Sequence, residues 1–296
     1  MLSTTHAALH SGSFPVPVTL VLALAALLYT RGWYRLRSAL PNRIRAWRLA
    51  VFMTGLFSIW IAVGSSIATL DDELLSVHMA QHLLLMAIGA PLILLGEPVL
   101  PLRHGLPERF VHNVLGPLFC CPPARTLGRA LTHPVFCWLA GTVTVIGWHV
   151  PALFELGLRS HGWHETQRAS FFAAGILFWI PVVQPWPSVA KWPRWSIPLY
   201  LFLATLPCDA LSAFLTFCDR VVYQSYLSAP HFLNISPLQD QERAGALMWV
   251  FVTLIYLIPA VAVTIHTLSP RRYLRGPDQS CIGGQHASMA SISRYI

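Results

Sequence analysis

Asp71-Asp72-Glu73-Leu74-Leu75-Ser76-Val77-His78-Met79-Ala80-Gln81-His82-Leu83-Leu84-Leu85-Met86-Ala87-Ile88-Gly89-Ala90-Pro91-Leu92-Ile93-Leu94-Leu95 passes from an acidic triplet into an apolar run whose ionisable side chains are His78 and His82 alone. A helix crosses the hydrocarbon of a bilayer with roughly 20 mostly apolar residues, and 74–95 supplies them. Equivalent runs occupy 16–34, 46–68, 134–154, 168–186, 196–218 and 244–268, separated by segments that hold most of the Arg, Asp and Glu residues. The expected fold is therefore an all-α membrane protein with seven transmembrane helices over 16–268. A short tail, 1–15, precedes this domain, and 269–296 reads as a polar, disordered tail.

Composition agrees. Of 296 residues, 55% are hydrophobic and 11% charged, whereas soluble domains carry about 25% charged residues. The formal charge of +8 does not indicate nucleic acid, because no basic run is interleaved with aromatics. The basic residues lie between the apolar runs, where they set topology. Segments 31–48, 103–129, 191–194 and the tail from 271 hold 16 of the 20 Lys and Arg residues; the alternate segments hold Arg159, Arg168, Arg220 and Arg243. The rule that positive loops stay inside puts the N-terminus and the Asp71-Asp72-Glu73 loop outside, and the C-terminus in the cytoplasm. The first run has no positive charge before it and Arg31, Arg35 and Arg37 after it, the reverse of a secretory signal, so it is expected to remain uncleaved. Cys120, Cys121, Cys137, Cys208, Cys218 and Cys281 form no C-x-x-C motif and read as reduced, packing residues.

Ionisable and metal-binding side chains inside a bilayer are costly, which makes each a functional candidate. On this topology His78, His82, His149, His164 and Met248 all fall in the outer half, while His104, His112, His133 and His286 fall on the other side. His78 and His82 are spaced i, i+4 and share a helix face, with Met86 continuing the stripe. Imidazole with thioether suits copper, the reduced ion above all, although two histidines on one helix cannot close a site. His149, His164, Met248 or Cys208 could complete it; equally, the histidines could hydrogen-bond across helices and hold the bundle together. Asp209, after Pro207, is expected to face the bundle interior. Asp240 follows Ser236-Pro237, a helix start in which Ser236 caps and the acidic group complements the N-terminus; a role in partner contact or metal binding is the alternative. Arg168 is expected to snorkel or to pair with Glu165 or an outer acidic group. His6 and His10 repeat the i, i+4 spacing in the N-terminal tail as a weak capture site. No Gly-rich phosphate loop, G-x-S-x-G or H-E-x-x-H occurs, and no inverted repeat, so no enzyme is expected.

His78-Met79-Ala80-Gln81-His82-Leu83-Leu84-Leu85-Met86, with Pro91-Leu92 and Gly96-Glu97-Pro98, resembles the CtaG-type cytochrome c oxidase assembly factors. Trp148-His149-Val150-Pro151-Ala152, His164 and Phe178-Trp179 carry the same resemblance, as does Ala213-Phe214-Leu215-Thr216-Phe217 with Asp219 and Tyr223. Ser236-Pro237-Leu238, Asp240-Gln241, Ala244-Gly245 and Met248-Trp249 complete it, in order, over about 50–265. The resemblance implies a multi-pass protein of the bacterial inner membrane that builds haem–copper oxidases and handles copper. Its partners would be an oxidase subunit and other copper chaperones, within membrane lipid and without nucleic acid. It carries the site over to His78, His82, His149, His164 and Met248. There are two departures. Arg168 stands where the family often has a second histidine, and Phe251-Val252 stand where it tends towards Pro-Gly. A guanidinium cannot ligate copper. A copper permease or resistance protein, a metal-free membrane chaperone and a haem-binding enzyme are the alternative readings; the apolar residues below Met86 weigh against a conduit.

Overall fold

The computed structural model describes residues 16–37, 44–65, 68, 70–117, 121–185, 192–228 and 235–269. His6, His10, Cys120, Cys281, Lys191 and both tails lie outside the described residues. The described chain is helical throughout. Its elements are α1 (Val16–Arg37), α2 (Ala46–Gly64), α3 (Leu75–Leu95), α4 (Val99–Gly105), α5 (Glu108–Phe110), α6 (Pro122–Leu131), α7 (Pro134–His149), α8 (Pro151–Arg159), α9 (His161–Val183), α10 (Ser196–Phe217) and α11 (Pro237–Leu268).

Among the described residues, α1, α2, α3, α9, α10 and α11 are long and apolar enough to cross a membrane. The α6–α7 pair, bent by 64° at its junction, supplies a seventh span if taken as one broken crossing. Leu20, Val21, Leu27, Phe202, Phe217, Val250 and Ile258 are all more than half exposed, as expected where the surrounding solvent is lipid. Close contact of small residues brings several of the helices together. A Cβ on Gly32 of α1 would lie 1.7 Å from the Pro101 carbonyl oxygen, and one on Gly105 would lie 1.9 Å from that of Leu28. These two glycines let α4 lie directly on α1. Gly245 of α11 likewise abuts the Ser212 and Thr216 region of α10.

α3 is the central element. Over its apolar window 61% of residues are buried, against 39% or less in the other spans. It packs on α2, α9 and α11, and α9 and α10 both pack on α7. The main core joins Met86, Phe178, Trp179, Leu201, Cys208 and Met248; a second core around Tyr29, Trp33 and Phe52 fastens α1 to α2. The chain leaves α3 through Glu97, whose φ of 47° is left-handed. That turn is fixed by an ion pair between Glu97 and Arg48 and by the Tyr29 hydroxyl, which donates to the Gly96 carbonyl at 2.7 Å.

Backbone chemistry sets three of the helix ends, and the last of them, at Ser236-Pro237, is the start read in the sequence. The run 134–154 breaks after His149, because Pro151 forces extended geometry on Val150 (φ −64°, ψ 124°). α9 begins at His161, capped by the Ser160 hydroxyl, so His161 and His164 are helical. α11 begins at Pro237, with Ser236 and Gln239 forming a reciprocal capping box.

Candidate functional site

The first turns of α3, α9 and α11 and the last turn of α7 lie at one end of the bundle, and there the polar side chains converge. His78 is wholly buried, with His82, His149 and His164 each less than 10% exposed. The i, i+4 spacing sets the His78 and His82 rings 4.4 Å apart, centroid to centroid. His164, arriving from α9, stacks on His78 at 5.4 Å and 16°. The His82 ring lies flat on Phe171 at 3.9 Å. The fourth imidazole, His149, sits edge-on to the same Phe171 at 6.5 Å.

Asp71 enters from the α2–α3 loop and is 2% exposed. Its Oδ2 lies 3.1 Å from His164 Nε2 and 2.6 Å from an Arg168 guanidinium nitrogen. Arg168 also bonds Glu165 at 2.9 Å, so it pairs with both kinds of acid expected of it. Burial alone would raise the Asp71 carboxyl, but contact with His164 and the Arg168 charge outweigh it and hold the group below the ordinary carboxylate range. The Tyr226 hydroxyl donates to the Asp71 carbonyl at 2.8 Å and anchors the loop.

One donor atom from each of Asp71, His78 and His164 lies within 4.8 Å of the other two. This is the spread of a potential three-ligand cation site. The nitrogens of His78 and His82 have no hydrogen-bond partner among the described residues, although all four are buried. An unmet buried polar atom costs about 1–3 kcal/mol, so native structures seldom keep several together. Each neutral imidazole keeps one bare nitrogen lone pair, which is what a cation would use. The donor set therefore fits a metal, and binding would exchange the His164–Asp71 contact for bonds to the ion.

Not every candidate reaches this cluster. Met86 and Met248 lie in the main core with Phe178 and Trp179, and Cys208 packs beside them. Met86 falls in a π turn, Leu84–Gly89, whose wider i→i+5 spacing breaks the α-helical stripe running from His78 through His82. Its backbone carbonyl accepts from Trp179 Nε1 at 3.0 Å. Asp209 is partly buried, beside exposed Leu206 and Ala210 but with its Oδ1 shielded from solvent, while Cys208 takes the inward position. Asp240 is buried and ties α11 to α3. Its carboxylate accepts from the Ser76 amide at 3.3 Å and the Ser76 hydroxyl at 2.5 Å, capping the first turn of α3 from another helix. The neighbouring Gln241 amide bridges Val222, Leu215 and Arg220 of the α10–α11 connection.

Two residues of the cluster had no signal in the sequence read alone. Asp71 was one of three acidic loop residues. Met79 lies off the histidine face, but its sulfur is 3.2 Å from His149 Nε2.

A buried polar cluster at one end of a small-residue-packed helical bundle defines a multi-pass membrane protein with a candidate cation site. The chain belongs to the cytochrome c oxidase caa3 assembly factor family, whose model matches residues 27–269. It is also similar to an uncharacterized protein of Mycobacterium leprae, 26% identical over 79% of this chain and 36% of that one. A second uncharacterized relative, from Mycobacterium bovis, is 24% identical over 82% of this chain and 38% of its own length. The chain thus spans little more than a third of these curated relatives. No solved structure matches it significantly.

Proposed function

We propose that this protein is a non-catalytic assembly factor of the bacterial inner membrane that passes copper to a haem–copper cytochrome c oxidase. The observation carrying this reading is the set of four buried imidazole nitrogens, on His78 and His82, that have no partner among the described residues. Family membership supports the oxidase as client. In this reading His78, His82 and His164, with Asp71, hold the ion at the extracytoplasmic end, where the basic-residue pattern places the α2–α3 loop. Copper supplies the oxidase with a redox metal; the chain supplies imidazole and carboxylate donors and excludes water from them. A ligand set drawn from three separate segments suits exchange rather than permanent retention.

Copper content of the purified protein, measured with and without His78→Ala/His82→Ala, tests the proposal. The expected result is loss of bound copper together with loss of oxidase activity in cells carrying the variant at normal abundance. Unchanged stoichiometry and unchanged oxidase activity would refute it. Reduced abundance with copper retained would favour the metal-free chaperone.

A further inference from the structure

His149 presents a contact that its own hydrogen bonding makes unusual. Its Nδ1 lies 2.6 Å from the Val145 carbonyl oxygen. A carbonyl can only accept, so the ring proton is on Nδ1, and a neutral imidazole then has a bare lone pair at Nε2. That lone pair faces the Met79 sulfur at 3.2 Å, which has lone pairs of its own and no proton to give. Protonating Nε2 as well would create an imidazolium buried against Phe171, with no carboxylate on it among the described contacts, a costly arrangement. Two soft donors thus meet with nothing between them that either can bond.

The charges nearby point the same way. Among the described residues Asp71 is the carboxylate that touches the cluster's histidines. Arg168 already neutralises it at 2.6 Å, while the buried Asp240 carboxylate nearby is taken up by Ser76. The other donors, His78, His82, His149 and Met79, are neutral. The cost of bringing an ion into a low-dielectric site rises as the square of its charge, so desolvating a divalent ion costs about four times as much as desolvating a monovalent one. Arg168 repels it as well. Thioether and imidazole donors select soft ions.

We propose that Met79 and His149 form a soft pole of the cluster and make it selective for a singly charged soft cation, the cuprous ion. This rests on the reading of the cluster as a copper site and adds the oxidation state and two ligands to it. Asp71 and His164 form the opposite, harder pole, with His78 and His82 between.

The full chain in lipid nanodiscs, titrated anaerobically with cuprous ion against a chromogenic chelator and separately with zinc, tests this. X-ray absorption of the copper-loaded protein reads the ligand atoms. Expected is a sulfur scatterer beside imidazole in the wild type. Met79→Leu, which nearly conserves volume, should lose that sulfur and weaken cuprous binding by at least about tenfold, with its melting temperature unchanged. Zinc binding through Asp71, His78 and His164 should stay within about twofold of wild type. A sulfur-free wild-type spectrum, sulfur retained in Met79→Leu, or equal loss of both metals overturns the soft pole while leaving a copper site standing. A folded wild type that binds no cuprous ion overturns the soft pole and the copper function together.

Discussion

Asp71 and Arg168 are a buried ion pair, so removing the carboxylate leaves the buried guanidinium with only the more exposed Glu165 as a counter-charge. Asp71→Asn should cost about 3 kcal/mol and lower the apparent melting temperature at neutral pH. Because the folded carboxyl titrates below its ordinary value, its contribution is complete above the ordinary carboxylate range. It is lost as pH falls through the depressed value. Melting curves of wild type and Asp71→Asn should therefore stay apart at pH 5–7 and converge below about pH 4; a constant gap at all pH would contradict the pair. His82→Phe makes the opposite kind of test. Phenylalanine keeps the stack on Phe171 and removes two buried nitrogens without partners, so stability should hold or rise while bound copper falls. If the histidines were bundle glue, the same change would lower the melting temperature. His78 and His82 were legible because i, i+4 spacing is a property of the sequence. Asp71 was not, since loop geometry decides which of three adjacent acids turns inward. Met79 was missed because its partner is a histidine 70 positions away, and spacing within one helix says nothing of that.

At the scale of the element, the seven apolar runs were readable from length and hydropathy, whereas their ends and internal phase were not. Proline at 151 cuts α7 short and leaves His149 as its last residue. The π turn at Leu84–Gly89 adds a residue to the helical repeat and rotates the remainder of α3 by about 100°. That is why a stripe extrapolated to Met86 fails. Deleting Ala87 should restore α-helical spacing, rotate Ala90 away from its contact at Gly175 and sharply reduce the yield of folded protein. Asp240 gives a milder test. Asp240→Ala removes the acceptor for the Ser76 amide and hydroxyl and should cost about 1–2 kcal/mol. Faster hydrogen exchange confined to the first turn of α3 would report it, and unchanged exchange there would show that the cap is idle.

In the whole molecule α3 is the most buried span, packed on α2, α9 and α11, and orientation is a matter of charge rather than shape. The uneven distribution of Lys and Arg predicts that the α2–α3 loop faces outward. Asp72→Cys, in a chain with its native cysteines replaced, should react with an impermeant thiol reagent added to intact cells. Labelling only after permeabilisation would reverse the topology. The opposite end relies on the mutual approach of α1 and α4. Gly105→Leu should detach α4 from α1, because the new side chain would occupy the space of the Leu28 carbonyl, and should expose the connection around Arg103 to protease.

The trans cap on α3 also bears on biogenesis. All four histidines of the cluster lie within 78–164, so they leave the ribosome well before Asp240, yet the first turn of α3 waits for Asp240 to satisfy it. Tyr226, which pins the Asp71 loop, arrives almost as late. A nascent chain therefore has the donors before it has the frame that aligns them. On the proposed copper reading, α11 would act as a timing device, with metal loading deferred until it has joined the bundle.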